Sequence, residues 1–207
     1  MLFRSQKNPA NRTTRDYLEN IKKQGHGSVL EHATYSLLFE GVSRSLTHEL
    51  VRHRAGFAYS QLSQRYVDES DAAFVVPPSI IGDERLMQAW HTQIESAQAS
   101  YVALVAELME RYKWVEDKVH RRKMAREAAR GVLPNSTETK IVVTANVRAW
   151  RTMLELRSSE GAEFEIRRMA VATLRVMQQE APGLFSDFET YLAPDRAEAA
   201  RIGYHKI

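Results

Sequence analysis

The chain has 207 residues, which is enough for one compact domain with a sizeable hydrophobic core. Hydrophobic residues make up 43% of it and charged residues 27%, a composition that excludes disorder over most of its length. The formal net charge is +3 and cysteine is absent, so disulfides, thiolate metal sites and a cysteine nucleophile are excluded.

A capping pattern marks the first helix. Thr13 and Asp16 have the spacing of a capping box, in which a hydroxyl and an acid each accept from a backbone N–H of the other residue. The helix that begins there is predicted to continue over residues 17–24 and to stop at Gly25.

A tight helical turn and a strand are predicted next. Ser28 and Glu31 repeat the capping-box spacing directly before residues 33–39, where β-branched and aromatic side chains favour a strand. Ser43 is the predicted N-cap of a second helix, which we expect to end in Arg-His-Arg at residues 52–54. The basic triplet is therefore predicted at a helix C-terminus.

The remaining chain is predicted to be mainly helical. Apolar residues recur every three or four positions from Leu86 to Leu108, which predicts a long helix over residues 83–112 whose apolar face serves as core or subunit interface. Further helices are predicted over residues 119–131, 148–157 and 160–180, and a strand over residues 139–144. Because no repeat or flexible linker divides the chain, we expect one α+β domain over residues 1–207.

The densest polar segment is residues 52–66. It holds three arginines, a histidine, two serines and two glutamines within fifteen positions. Guanidinium groups match phosphate geometry, glutamine amides read base edges, and tyrosines stack on aromatic rings, so this inventory suits a nucleotide or dinucleotide site. The alternative is that basic residues favour a helix C-terminus and polar residues fill a loop, and on the residues alone this alternative has the greater weight.

Two further clusters contain arginine. Arg148, Arg151 and Arg157 lie on one predicted helix, but steps of three and six residues prevent all three from sharing a face. One of them is therefore expected to be solvated. Glu127 and Arg130 have the i,i+3 spacing of a pair that commonly decorates an exposed helix.

Metal binding and membrane insertion are not expected. His26 and His32 lie six residues apart, whereas helical metal ligands are separated by three or four. No apolar run approaches the length of a membrane span, and the first residues lack the apolar core of a signal peptide. We therefore predict no metal, no membrane partner and a cytoplasmic location.

Four ordered blocks resemble the motifs of the flavin-dependent thymidylate synthase (ThyX) family. Arg-His-Arg at residues 52–54, followed after a loop by Ser-Gln-Arg at residues 63–65, resembles the family signature. Residues 26–32 resemble its upstream His-x-Ser segment, and residues 127–134 and 146–157 resemble its later nucleotide-binding blocks. Four blocks in order are far more specific than one arginine triplet.

The resemblance implies a fold, an assembly and two ligand sets. The fold would be a ThyX-like α+β domain with a mostly antiparallel sheet flanked by long helices, and the assembly a homotetramer with active sites shared between subunits. The residues expected to contact FAD are Ser28, Arg52, His53, Arg54, Gln61, Asn146, Arg148 and Thr152. Those expected to hold the nucleotide are Glu49, Arg52, Gln61, Leu62, Ser63, Gln64, Arg65, Arg130 and Arg157.

The chemistry that the resemblance implies is reductive methylation of dUMP at C5 to form dTMP. NADPH would reduce FAD and methylenetetrahydrofolate would supply the one-carbon unit, without the cysteine thiolate that this chain lacks. Arg157 is the predicted catalytic residue, because its charge would stabilise negative charge that develops on the pyrimidine. Ser63 is expected to bind the nucleotide, since no base lies at a spacing that would activate it.

The sequence departs from the family pattern in its loop and at its start. The spacer between Arg54 and Ser63 holds eight residues, more than the family usually has, and Ala58 occupies a place often filled by serine. A flavin phosphate contact is therefore expected to be lost or rerouted. The start of the chain leaves little room for the family's N-terminal strand.

Two alternative functions are retained. The first is a specialised C5-methylase that acts on UMP as well as dUMP, which the longer spacer motivates. The second, from a different class, is a basic helical nucleic-acid-binding module; the enzyme interpretation predicts no nucleic-acid partner.

Overall fold

A computed structural model describes residues 13–205, which combine helices with two small sheets. The elements in chain order are α1 (Thr14–Lys23), β1 (Thr34–Ser43), α2 (Arg44–Leu50), β2 (Phe57–Gln61), α3 (Glu84–Arg111), α4 (Lys118–Ala129), β3 (Glu138–Asn146), α5 (Val147–Arg157), α6 (Phe164–Glu180), α7 (Pro182–Phe185), β4 (Phe188–Leu192) and β5 (Glu198–Ile202). Short 3-10 turns occupy Gly27–His32, Pro78–Ile80 and Arg130–Val132. The predicted mixture of helix and sheet is confirmed.

The first three strands form one sheet and the last two form another. The first sheet has the order β1-β3-β2. In β3, Thr139, Ile141 and Val143 are buried while Lys140 and Val142 are exposed, the alternation expected of a sheet with one covered face. Strands β4 and β5 pair antiparallel, with Phe188 opposite Ile202.

The described residues fall into two compact units. The first comprises residues 13–35, 55–57 and 145–205, and the second comprises residues 36–54 and 58–144. Each is described separately below. A single catalytic domain over residues 1–207 stays a prediction.

The first unit is built around α5 and α6. Trp150 is fully buried, packs edge-to-face on Phe57 with ring centroids 5.4 Å apart, and donates its indole N–H to the carbonyl oxygen of Tyr35. Leu154 and Phe185 are also fully buried. Apolar burial and a satisfied indole N–H therefore fix the position of α5.

An ion cluster lies beside this core. Asp187 accepts two hydrogen bonds of 2.7 Å from the Arg151 guanidinium and lies 3.2 Å from the Lys22 ammonium. The Lys22 and Arg151 side chains are 0% and 2% exposed, so both cations depend on protein partners.

The second unit packs α3 and α4 beside the first sheet. Leu46, Leu50 and Ile141 are almost fully buried in its core. On α3 only Ile94 and Tyr101 are buried, and most of the apolar face that the periodicity predicts remains accessible in the single chain. Apart from those two residues, the face does not form core. Its accessible part is available for the predicted subunit interface.

The starts of α1, α2 and α3 agree closely with the sequence predictions, because their caps are local. Thr13 and Asp16 form both bonds of the predicted capping box, and Ser43 accepts from the backbone N–H of Leu46. Asp83 caps α3 in the same way.

The predicted helix limits are wrong at two places. Helix α2 ends at Leu50, with Val51 as C-cap, so residues 52–54 follow the helix and do not form its last turn. Helix α6 begins at Phe164 instead of residue 160, because Glu163 caps the N–H groups of Glu165 and Ile166. The question of an N-terminal strand falls on residues 1–12, outside the described range.

Within residues 13–205, every helix is too short or too polar to cross a membrane.

Candidate functional site

The Arg-His-Arg segment, residues 52–54, lies in the loop between α2 and β2. Arg52 and Arg54 are exposed, and His53 is half-buried. No ion pair engages either arginine within the described part of the chain. Two neighbouring guanidinium groups in this state can bind phosphate oxygens without first breaking an internal salt bridge.

Tyr59, on β2, anchors the start of this loop. Its phenol oxygen lies 2.9 Å from the carbonyl oxygen of Leu50 and 2.6 Å from that of His53, so its single proton can be donated to either. Burial raises the pKa of Tyr59 to about 12, which keeps the phenol protonated as a donor. Tyr59 is thus engaged with the protein backbone and is not the ring-stacking residue that its type allowed.

Gln61, at the end of β2, has its amide oriented by two threonines. The Thr47 hydroxyl donates to the carbonyl oxygen of Arg44, so its oxygen can only accept from Gln61, whose Nε2 lies 3.1 Å away. Thr139 offers a second acceptor at 3.4 Å. Since both contacts use the NH₂ group, the amide oxygen of Gln61 is the atom left for a ligand N–H.

Ser63 and Arg65 form a turn that is tied to α4. The Ser63 hydroxyl accepts from the backbone N–H of Arg65 at 3.4 Å, and Nε of Arg65 lies 2.7 Å from a carboxylate oxygen of Glu127. The interpretation of Glu127 as the partner of Arg130 is therefore wrong. Arg65 reaches it across more than sixty positions of sequence, which no helical spacing reveals.

A pocket of about 380 Å³ opens beside this turn on the exposed face of the first sheet. Its apolar walls come from Leu38, Leu62, Val67 and Val142, and Tyr66 closes one side. Polar groups come from Ser60, Gln61, Ser63 and Lys140. Apolar walls with a few polar groups suit a flat ring that has a hydrogen-bonding edge. The structure thus brings three predicted nucleotide residues, Gln61, Leu62 and Ser63, to one pocket.

In the first unit, Gly56 makes a close approach to the start of α5. Its φ is +78°, and a Cβ atom there would lie 2.8 Å from Nδ2 of Asn146 and 2.9 Å from Cβ of Ala149. Asn146 is the N-cap of α5, with its side-chain oxygen accepting from the N–H of Ala149. Only glycine satisfies both constraints, so its place two residues after the arginine triplet has a backbone cause.

The 3-10 turn that carries Ser28 packs against α5. Nη1 of Arg148 donates to Glu31 at 2.6 Å, and Thr152, one turn further along α5, donates to the carbonyl oxygen of Arg148. Ser28, Arg148 and Thr152 are exposed. Of the residues predicted to contact FAD, these are the ones that the first unit presents on the same side of α5.

Arg157 is the last residue of α5 and is half-buried. Nine residues separate it from Arg148, which on an α-helix corresponds to a rotation of about 180° and a rise of about 14 Å. The following Ser158 is buried and accepts from the N–H of Ala200 on β5, so the end of α5 is held in place. The two arginines therefore face different surroundings, and Arg148 is the solvated one.

Several residues that shape the site were missed by sequence analysis. Tyr59, Thr47 and Glu31 act only through partners that the fold supplies, and none has a characteristic spacing from them. Gly56 belongs with them, because the helix cap that it approaches, Asn146, lies ninety positions further along the sequence. Among residues 13–205, no group of three or more possible metal-ligating side chains occurs.

Comparison with known proteins gives one consistent result. Residues 2–183 match the family model described as Thy1, thymidylate synthase complementing protein. A flavin-dependent thymidylate synthase from Mycobacterium sp. (strain JLS) is 50% identical over 200 residues, covering 95% of this chain and 78% of that protein. Enzymes of the same name from Mycobacterium avium and Mycobacterium tuberculosis are each 48% identical over 196 residues, with the same coverage.

Proposed function

The chain belongs to the flavin-dependent thymidylate synthase family, and on this premise we propose that it methylates dUMP at C5 to form dTMP. The cofactor is FAD, with NADPH as reductant and methylenetetrahydrofolate as one-carbon donor. The single observation that carries the proposal is 50% sequence identity to an enzyme of that name over 95% of the chain. The absence of cysteine agrees with it, because a thiolate-dependent synthase could not work in this sequence.

Each unit, taken by itself, presents groups that suit part of a flavin dinucleotide. Arg52 and Arg54 present cationic groups for its phosphates, and the turn with Ser28 presents a hydroxyl beside Arg148 and Thr152. The missing side chain at Gly56 lets this backbone pack closely on Asn146, a member of the proposed FAD set. His53, Gln61 and Asn146 complete the proposed FAD set.

The pocket beside Ser63 is the proposed seat of the pyrimidine. The amide oxygen of Gln61 is an acceptor suited to a ring N–H, and the apolar walls offer contact area for the ring. The proposed nucleotide set also includes Glu49, Arg52, Leu62, Gln64, Arg65, Arg130 and Arg157, among which Leu62 contributes an apolar wall of the pocket.

Arg157 is the proposed catalytic residue. When bound, reduced FAD supplies the reducing equivalents that complete the methyl group. For C5 to attack the one-carbon unit, negative charge must spread over the pyrimidine oxygens, and a fixed guanidinium beside the ring stabilises that charge without reorganising. The anchoring of Ser158 to β5 holds the helix end that carries this group.

Finer features are part of the same proposal. We propose the ThyX-like α+β fold with a mostly antiparallel sheet, a single catalytic domain, a cytoplasmic location, no nucleic-acid or membrane partner, and a homotetramer with shared active sites. The accessible apolar face of α3 supports an assembly, because Leu86 is 46% exposed and Leu104 is 38% exposed in the single chain.

Activity is tested directly with the purified protein. We expect flavin absorbance and dTMP formation that requires dUMP, methylenetetrahydrofolate and NADPH together. Flavin-loaded protein that makes no dTMP from this mixture would refute the proposal. Comparing UMP with dUMP decides the alternative substrate, since a site closed at the sugar 2′ position rejects UMP strongly.

Replacing Arg157 by lysine tests the catalytic assignment. The variant keeps the charge but loses the planar guanidinium, so kcat should fall by about tenfold or more while dUMP affinity changes much less. Arg175→Lys, at an exposed ion pair with Glu198, is the matched control and should leave kcat unchanged. Wild-type kcat in Arg157→Lys would remove Arg157 from the mechanism.

A further inference from the structure

Glu69, whose carboxylate is buried, belongs to a polar group of five side chains in the second unit. Glu69 is 7% exposed and Gln64 is 6% exposed. The hydroxyl of Tyr101, which is fully buried, accepts from the backbone N–H of Glu69 at 3.4 Å. Burial raises the pKa of Glu69, and the charge of nearby Arg44 opposes this rise. Arg130 is the fifth member, because its charge acts on Arg44.

This group contains hydrogen-bond donors that the protein does not satisfy. Nη1 of Arg44 and Nε2 of Gln64 are buried and have no hydrogen-bond partner. Gln64 lies close enough to influence the Glu69 carboxylate, but the contact lacks the geometry that would satisfy its Nε2. Nε of the adjacent Arg65 is likewise unsatisfied, because its 2.7 Å ion pair with Glu127 is poorly aligned. Each such donor destabilises the folded protein unless an acceptor binds it.

The charges in this group call for an anionic acceptor. Arg44 and Arg130 carry like charges: burial lowers the pKa of Arg44, and the Arg130 charge lowers it further, while Glu69 opposes both. Asp68 and Arg126 also act on Glu69 but pair with each other, so Glu69 is the carboxylate left to oppose the effect of the Arg130 charge on Arg44. Arg65 lies next to Gln64 in sequence. A phosphate dianion offers several acceptor oxygens and also offsets the excess positive charge. A neutral acceptor could satisfy the donors but would leave the charge in place.

We propose that Arg44, which lies outside every motif block, binds the phosphate of the nucleotide together with Gln64, Arg65 and Arg130. The inference rests on the proposed function and adds a phosphate-binding residue to it. The backbone of Arg44 is held independently of its side chain: its N–H donates to the carbonyl oxygen of Thr137, and its carbonyl oxygen accepts from Thr47. Substitution of the side chain therefore preserves the junction between β1 and α2.

The test compares dUMP with deoxyuridine, which lacks the phosphate. Dissociation constants are measured by isothermal titration calorimetry for the wild-type protein, Arg44→Met and Arg44→Lys. We expect Arg44→Met to weaken dUMP binding by about tenfold to a hundredfold and to change deoxyuridine binding by less than about twofold. The dUMP affinity of Arg44→Lys should lie between those of wild type and Arg44→Met, because lysine keeps the charge but lacks the planar guanidinium group. Arg201→Met, at an exposed ion pair with Glu189, is the control and should bind both ligands like wild type.

The outcomes separate this inference from the proposed function. Wild-type protein that does not bind dUMP overturns both. If wild type binds dUMP and both Arg44 variants bind it equally well, only the role of Arg44 is overturned. Equal losses for dUMP and deoxyuridine also overturn it, since they indicate damage to the site in general. If Arg44→Met does not fold, as judged by circular dichroism, Arg44→Lys gives the same comparison.

Discussion

Asp187 supports the sharpest stability prediction, because it holds two buried cations. In Asp187→Asn, the Arg151 guanidinium loses the only carboxylate that pairs with it within residues 13–205, while Lys22 keeps an ion pair with Glu19 at 3.0 Å. Breaking a buried ion pair on one side costs about 3–5 kcal/mol. For a protein of this size, that loss corresponds to a decrease of about 6–20 °C in Tm, measured by differential scanning calorimetry.

The pH dependence of the same variant provides a second test. Burial alone would raise the pKa of Asp187, but the hydrogen bonds and charge of Arg151, together with Lys22, outweigh it and lower the pKa. A carboxylate with a lowered folded pKa contributes stability that is present above its unfolded pKa of about 4 and is lost as pH falls through the folded value. The stability gap between wild type and Asp187→Asn should therefore narrow below about pH 4.

A control two residues from Asp187 separates the effect of losing a buried ion pair from the effect of losing a carboxylate charge. Glu189→Gln removes a carboxylate from an ion pair whose side chains are 67% and 72% exposed, so its cost should stay below about 1 kcal/mol. A loss of less than about 1 kcal/mol in Asp187→Asn, or equal losses in both variants, would refute the burial reasoning.

Three further substitutions probe the site. Gly56→Ala should destabilise the protein by about 1–3 kcal/mol or more and reduce bound flavin, because φ is +78° and the added Cβ would lie 2.8 Å from Nδ2 of Asn146; wild-type Tm and flavin content would contradict this. Tyr59→Phe should cost about 1–3 kcal/mol in urea unfolding. With a folded pKa of about 12, the contribution of Tyr59 is complete below its ordinary pKa of about 10 and is lost as pH rises through about 12, so the difference should shrink there. Thr47→Val should weaken dUMP binding several-fold, since it removes the acceptor that orients Gln61; an unchanged dissociation constant from calorimetry would contradict that role.

Local interactions explain which structural predictions succeeded. The caps at Thr13, Ser43 and Asp83 join atoms three residues apart, so a residue type and its spacing carry the whole signal. The long helix α3 was likewise predictable from its apolar period. The end of α2 was less predictable. The loop that follows it is held by Tyr59 on β2, whose hydroxyl contacts the backbone carbonyl oxygens of Leu50 and His53.

The candidate site divides in the same way. Its residues could be proposed from four ordered motif blocks, and family membership is confirmed. Their surroundings could not be predicted: Arg151 is buried against Asp187, thirty-six residues away, while Arg148 on the same helix is exposed. Helical periodicity showed that the arginines of α5 must differ in orientation, but only the partners available in space decide which one is buried.

By itself, then, the sequence determined the starts of α1, α2 and α3, two of the five strands within residues 13–205, the thiol-free chemistry and the family. The tertiary structure alone decided that Glu127 pairs with Arg65, that Tyr59 fastens the arginine loop, and that Arg44 and Gln64 keep unsatisfied donors beside Glu69. The physical reason is the sequence separation over which each kind of interaction acts. Capping and periodicity act within a few residues of backbone, whereas burial and ion pairing depend on side chains that only folding brings together.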